Sequence, residues 1–159
     1  MAKYKTLIGR YEMVAFPEHL LEDVPAKVDT GAYLSSIHTT DIREVTVNGK
    51  KVLKFKLLAT HQSYDYSREI STTDYQIKTI ENSFGQSEKR FAVELKVKVA
   101  NKVFFTEFTL ANREKKAFPI LLGRKLLNAR FLVDSDLNNL NKKVIKKNII
   151  SNLDESAEG

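Results

Sequence analysis

Three consecutive residues combine an acid, a hydroxyl and a glycine: Asp29, Thr30 and Gly31, led in by Ala26-Lys27-Val28 and followed by Ala32. Val24, Ala26 and Val28 alternate with polar neighbours, the pattern of a strand with one buried face. Asp29 then stands where that strand ends, its carboxylate presented on a turn. Gly31, lacking a β-carbon, lets the chain turn sharply and approach a neighbour, and the Thr30 hydroxyl can bond across to backbone groups and fix the loop. On the three residues alone an ordinary Asp-Thr-Gly turn between two strands is the better explanation, because Asp and Gly are common turn residues. The company of the triplet bears on the choice. Ser35-Ser36-Ile37-His38 leads away as a second extended run, and about ninety residues later Ile120-Leu121-Leu122-Gly123-Arg124 places an apolar run against a glycine.

Other chemistries find little support. There is no Cys, which excludes disulfides, thiolate metal sites and cysteine nucleophiles. The three histidines, His19, His38 and His61, have no paired spacing, and His-Glu-x-x-His is absent. No Gly-x-Ser-x-Gly elbow and no Gly-rich phosphate loop occurs. No metal and no cofactor are therefore expected, and His38 is read as structural, its ring bonding a loop carbonyl.

The elements that must position these residues are short strands. Residues 4–16 read as an opening strand pair closed by Pro17, and Pro25 sits near the start of the strand that delivers Asp29, where a missing amide is tolerated. Residues 42–47 and 51–58 flank Asn48-Gly49, the strongest short hairpin signal. Residues 60–73 are polar and without period, residues 74–80 read as a strand, and residues 81–89 as a polar loop around Gly85. Phe91, Val93, Leu95, Val97 and Val99 face one way with Glu94, Lys96 and Lys98 opposite, and after Asn101-Lys102 the run 103–110 returns as partner. Residues 124–129 form the one convincing helix, and 131–133 a last core strand. The expected architecture is all-β, a small closed β-barrel with one short helix. One domain spans residues 1–137, and residues 138–159 form a polar, disordered tail.

The motifs, in this order, resemble the retropepsin-like (acid protease) enzymes, whose half-site pairs Asp-Thr-Gly with a later hydrophobic-hydrophobic-Gly. More closely, the chain is similar to a bacterial family labelled ATP-dependent zinc proteases and associated with RimK-type ATP-grasp ligases. The matching residues are Ala26 to Ala32 with Ser35 and His38, then Asn112-Arg113, Leu121-Leu122-Gly123-Arg124 and Arg130-Phe131-Leu132-Val133-Asp134. The resemblance covers roughly residues 7 to 135. One departure is visible: many relatives carry a basic residue and then Thr after Asp-Thr-Gly-Ala, where this chain has Tyr33-Leu34, which bears on substrate contact and not on the carboxylate.

The resemblance implies an aspartic peptidase with Asp29, Thr30 and Gly31 catalytic. It implies Leu121, Leu122, Gly123 and His38 as support, and Ala32, Lys27 and Arg124 near substrate. For Arg124 two roles stand open, a dimer-supporting ion pair and a surface arginine at a helix start. Aspartic proteolysis needs two carboxylates sharing one proton, because like charges a few ångströms apart cannot both ionise. The sequence has a single Asp-Thr-Gly, and Asp134-Ser135-Asp136 lacks the glycine, so one chain supplies half a site and a two-fold homodimer would supply both halves. The alternative is a non-catalytic domain of the same fold that binds peptides or partners. The label's ATP would have to come from a partner ligase, and an association with ligases that add glutamate suggests an acidic tail as substrate. Residues 60–90 would form either a flap over the cleft, with Tyr64, Tyr66 and Phe84 pressing on peptide, or an insertion remote from it.

A net charge of +6 invites a nucleic-acid reading, but much of the excess lies in Lys142, Lys143, Lys146 and Lys147, with no accompanying binding motif. No nucleic-acid partner is expected. The N-terminus lacks a secretory pattern, and no run approaches the roughly 20 apolar residues needed to cross a bilayer. A cytoplasmic protein with no membrane partner is the expectation.

Overall fold

A computed structural model describes residues 4–64 and 66–140 of the 159. Its core follows from strict alternation in two long hairpins. In β8 (Ser87–Val99), Val93, Leu95, Val97 and Val99 are buried while Glu94 and Lys98 face solvent. β9 (Lys102–Ala111) returns antiparallel, in register from Val99 opposite Lys102 to Ala92 opposite Thr109. The turn is Ala100-Asn101, one residue earlier than the sequence suggests, and Ala100 takes a left-handed φ of 54°. The second hairpin joins β4 (Ser35–Val47) to β5 (Lys50–Leu57). Asn48 (φ 51°) and Gly49 (φ 79°) occupy its two turn positions, the positive-φ pair that a tight hairpin matching the strand twist requires. Leu53, Phe55 and Leu57 line the inner face of β5 with no solvent exposure, each contributing about 1.5–3 kcal/mol of burial.

The remaining strands close these hairpins on themselves. β2 (Tyr11–Phe16) and β3 (Leu21–Val28) pair antiparallel around a single 3-10 turn at Pro17–His19. The hydrogen-bonded order runs β10–β3–β2–β8–β9–β4, and β10 (Ile120–Leu122) also pairs with β4, so six strands complete a ring. Phe16, Phe108, Ile120, Leu122 and Leu126 fill its interior. The mostly-β expectation with one short helix is met; α1 is Arg124–Leu127, shorter than the spacing suggests.

Long-range pairing is where structure and sequence reading part. β1 (Thr6–Ile8) does not pair with β2 as expected. It lies parallel to β11 (Phe131–Val133) in a separate two-stranded sheet, Leu7 opposite Leu132. The polar stretch after Thr60 supplies β6 (Arg68–Thr72), which extends the sheet beyond β5. The polar loop around Gly85 shrinks to residues 82–86, the tip of a hairpin between β7 (Gln76–Glu81) and β8. There Asn82 Oδ1 accepts the N–H groups of Phe84 and Gln86, both at 3.0 Å. Most of the expected tail lies outside the described residues. Its first part, through residue 140, is tied to the domain. Asn139 donates its N–H to the Tyr11 carbonyl (2.8 Å), and the Leu140 N–H meets the buried Glu12 carboxylate (3.0 Å), which also accepts the Gly9 N–H.

Candidate active site

β10 is wedged between β3 and β4, and that wedge builds the site. Leu121 and Leu122 run parallel to Lys27 and Val28, while Ile120 and Leu121 run antiparallel to Ile37 and Ser36. The Leu122 carbonyl accepts the Asp29 N–H (2.9 Å), and the Arg10 carbonyl accepts that of Val28 (2.8 Å). The main chain at the acid is thus pinned by two different elements. Gly31 then donates its N–H to Asp29 Oδ1 at 2.9 Å, which orients a half-buried carboxylate towards the open side of the turn. A β-carbon on Gly31 would stand 3.2 Å from that same oxygen. Closeness to the carboxylate, not a left-handed backbone, is what glycine provides here. Thr30 is exposed and enters through its carbonyl, which accepts Arg124 Nη1 at 2.9 Å.

Gly123 locks the rear of the loop. A β-carbon there would fall 2.6 Å from the Tyr33 carbonyl oxygen and 2.8 Å from Leu34 backbone atoms, so the two segments meet as only glycine permits. Its N–H donates to Ser35 Oγ (3.0 Å, buried), and the next two N–H groups, of Arg124 and Lys125, donate to the carbonyls of Ala32 and Tyr33 at 2.9 Å each. Ala32 also closes the turn, its N–H on the Asp29 carbonyl at 3.3 Å. Leu122 is wholly buried behind this junction and Leu121 partly so. The Arg124 guanidinium lies 5.8 Å from the Tyr33 ring centre, so within the chain it braces the loop. The structure therefore brings Asp29, Thr30, Gly31, Ala32, Leu121, Leu122, Gly123 and Arg124 together.

Lys27 faces a different feature. With Arg10, Tyr11, Val28, Thr30, Phe118, Val133 and Ser135 it lines a hollow of about 210 Å³ beside the loop. Arg10, Tyr11 and Phe118 were not legible as site residues, since nothing in their spacing marks them; the Tyr11 and Phe118 rings lie 5.5 Å apart. A third cation, Arg113, is fixed on the segment before β10 by Nε donating to the Phe118 carbonyl (2.9 Å). Burial and the neighbouring charge of Arg90 push Arg113 down to about 10, while Asp29 pulls the other way. Arg90 sits on β8 near the hairpin tip, paired with Glu88, so the β7–β8 hairpin, Arg113 and Asp29 share one electrostatic neighbourhood.

His38 holds the Arg113 segment from behind, its ring fully buried, Nδ1 accepting the Arg113 N–H (2.8 Å) and Nε2 lying 2.8 Å from the Ala59 carbonyl. The carbonyl contact is the one expected. His61, unremarkable in sequence, is also buried, with its ring centre 5.2 Å from that of His38. Tyr64 does not face a cleft: it is buried, donating its hydroxyl to the Glu22 carbonyl at 2.6 Å. Phe84, at the hairpin tip, is 88% exposed.

A resident zinc ion does not suit these donors. Both His38 nitrogens are engaged, His61 Nδ1 accepts the Ser63 N–H, and no cluster of three or more potential ligands occurs among the described residues. Among the described residues no helix is long and apolar enough to cross a membrane.

The model of the RimB-like family, described as retropepsin-like aspartic endopeptidase RimB, matches residues 7–144. A "Probable alpha-L-glutamate ligase" of Desulfotalea psychrophila is 33% identical over 136 residues, 84% of this chain and 29% of that protein. Another of that name from Shewanella pealeana is 31% identical over 134 residues, with the same coverage. The chain thus spans less than a third of the curated relatives it matches. A solved structure of a Legionella pneumophila protein of unknown function superimposes with a TM-score of 0.67 at 28% identity, covering 87% of this chain and 100% of that one.

Proposed function

The chain belongs to the RimB-like family of retropepsin-like aspartic endopeptidases, and on that premise we propose that it hydrolyses peptide bonds as a homodimer, with one Asp29 from each subunit. The observation that carries this reading is the Asp29 turn. Its carboxylate is oriented by the Gly31 N–H and its main chain is pinned by β10, yet each chain has a single such turn. In the dimer the two carboxylates share one proton. The ionised one takes a proton from water as the water oxygen bonds to the peptide carbonyl carbon, while the protonated one gives its proton to the carbonyl oxygen. The resulting gem-diol collapses: the carboxyl that took the water proton gives it to the amide nitrogen, a diol hydroxyl returns a proton to the other carboxylate, and the C–N bond breaks to release the amine and a new carboxyl group.

Two surfaces support association and coverage. β1 and β11 stand outside the ring and expose Leu7 and Leu132 opposite one another on one face, an apolar pair suited to a second copy of this sheet. The β7–β8 hairpin is the part of residues 60–90 that we assign to covering the cleft, through Arg90 and the exposed Phe84 tip. For substrate, Lys27 and Arg10 in the hollow, with Arg113, Arg90 and Arg124 around the loop, favour an acidic peptide tail. The ligase names of the relatives point the same way, towards a functional link with a glutamate-adding ligase.

Asp29→Asn keeps the shape and the Gly31 hydrogen bond but removes the charge that activates water. Purified Asp29→Asn protein should retain the circular dichroism of the parent and cleave no glutamate-rich peptide. Full cleavage by a folded Asp29→Asn protein would refute the assignment.

A further inference from the structure

Behind the cleft wall, three segments meet on two buried imidazoles. His38 Nε2 is 2.8 Å from the Ala59 carbonyl, which can only accept, so Nε2 carries the ring proton and Nδ1 is free to accept the Arg113 N–H. His61 is 4% exposed and accepts the Ser63 N–H at Nδ1 (3.0 Å), which places its own proton on Nε2. That Nε2 has no hydrogen-bond partner among the described residues, although the carbonyls of Lys116 and Arg113 are near enough to favour its charged form. Ser63 completes the junction by donating Oγ to the Ala117 carbonyl (2.9 Å). An acceptor imidazole nitrogen thus joins the segment 112–118 to β4 at His38, and a second one, on His61, shapes the 61–63 turn from which Ser63 reaches Ala117. An acceptor nitrogen that gains a proton becomes a donor and faces another N–H.

We propose that His38 and His61 are positioning residues forming an acid-released latch, which holds the Arg113 segment against the cleft wall only while both rings are neutral. The ionisable groups that bear on the pair are few. Arg113 and Glu114 act on His38 with opposite sign, and His38 and Arg113 both disfavour charge on His61. Burial lowers both histidines below their ordinary value, His61 to about 4. The latch is thus closed at neutral pH and opens under acid, with His61 gaining its proton at about 4. Opening frees Arg113 and, through its bond to the Phe118 carbonyl, one wall of the hollow beside Asp29. The consequence for turnover rests on the peptidase reading; the latch itself does not.

The test is an NMR titration of the whole chain from pH 7 to about 4, reading imidazole nitrogen shifts and amide-exchange protection together. Both rings should be neutral with the proton on Nε2 at pH 7. Protection at residues 113–118, corrected for intrinsic rates, should fall about tenfold or more as the rings gain protons, the factor equivalent to one unit of pKa displacement. The β8 and β9 amides should keep theirs. His38→Asn offers the Arg113 N–H an acceptor that does not titrate in this range, so in that variant the fall should be absent or strongly reduced. A proton on His38 Nδ1 at pH 7, protection of residues 113–118 that ignores ring protonation, or loss only together with β9 would each overturn the latch. Should His38→Asn fail to fold, the wild-type titration decides alone. Failure here leaves the Asp29→Asn result untouched, and an inactive wild-type protein would leave the exchange result standing.

Discussion

Gly123→Ala measures how tightly the carboxylate loop depends on its rear support. The added methyl would sit 2.6 Å from the Tyr33 carbonyl oxygen and 2.8 Å from Leu34 C and O. These are backbone atoms that no side-chain rotation can clear, so either α1 or the 33–34 segment must shift. Overpacking of this kind costs about 1–3 kcal/mol. A shift also strains the buried bond from Gly123 N–H to Ser35 Oγ, worth about 1 kcal/mol. Gly123 has φ −94° and ψ 177°, which alanine adopts freely, so the smaller unfolded-state entropy of alanine returns about 0.5–1 kcal/mol. The net loss is about 1–3.5 kcal/mol, a fall in Tm of about 2–14 °C for a domain of this size. Because Arg124 N–H and Lys125 N–H hold Ala32 and Tyr33 through the same junction, the displacement reaches the Asp29 turn. A 1 Å misplacement there lowers kcat by about a hundredfold. Thermal melting and peptide turnover on one preparation read both numbers. A Tm within a degree of wild type together with full kcat would show that the junction neither is tight nor transmits to the acid.

Stability should fall as pH drops from the ordinary histidine value of 6.5 to about 4, because the unfolded chain binds a proton there that buried His61 refuses, and should level off below that window for this group. Allowing for residual solvent screening, the loss is on the order of 2 kcal/mol. Urea midpoints at the two ends should show it, and His61→Asn should flatten the slope; an unchanged slope would contradict the burial argument. Glu107 joins Lys125 of α1 (3.3 Å) and Lys78 of β7 (3.6 Å) while largely buried, so Glu107→Gln should cost about 1–2 kcal/mol in a denaturant titration, where a surface pair would cost nearly nothing. Chelation with EDTA should leave peptide cleavage unchanged, since both His38 nitrogens are engaged and no cluster of three or more potential ligands occurs among the described residues; activity lost to the chelator and restored by zinc would reverse that reading.

What the sequence disclosed was local. The alternation through Phe91–Val99 and the Asn48-Gly49 pair specify hairpins because neighbours in sequence are neighbours in the sheet. Asp29-Thr30-Gly31 and Leu121-Leu122-Gly123 were legible as a pair through their resemblance, in this order, to the retropepsin-like half-site; neither triplet is distinctive alone. That β10 would insert between β3 and β4, however, depends on pairings across about ninety residues that no period encodes. The same holds for β1 against β11: three-residue strands carry too little pattern to name a partner. β6 was obscured because an edge strand keeps polar residues on both faces, whereas β7 was legible as the run 74–80 and lies at Gln76–Glu81. His61 and Tyr64 were hidden for another reason. Each lies in a polar stretch yet is buried, with one polar atom met by a main-chain group, the Ser63 N–H on His61 Nδ1 and the Glu22 carbonyl on the Tyr64 hydroxyl, and main-chain partners leave no trace in composition. Arg113 appeared as part of a motif, but its placement between His38 and Phe118 required the fold.

The central claim, that catalysis uses one Asp29 from each of two chains, is tested most directly by subunit mixing. Wild-type and Asp29→Asn chains are combined in equal amounts and allowed to exchange, and peptide cleavage is measured per wild-type subunit at saturating substrate. Random exchange leaves about a quarter of the dimers wild type on both sides and half of them mixed. If the pair of carboxylates is required, mixed dimers are inactive and activity per wild-type subunit falls to about half that of the unmixed enzyme. If activity per wild-type subunit is unchanged after exchange has been verified, each Asp29 works alone and the shared-proton mechanism is wrong.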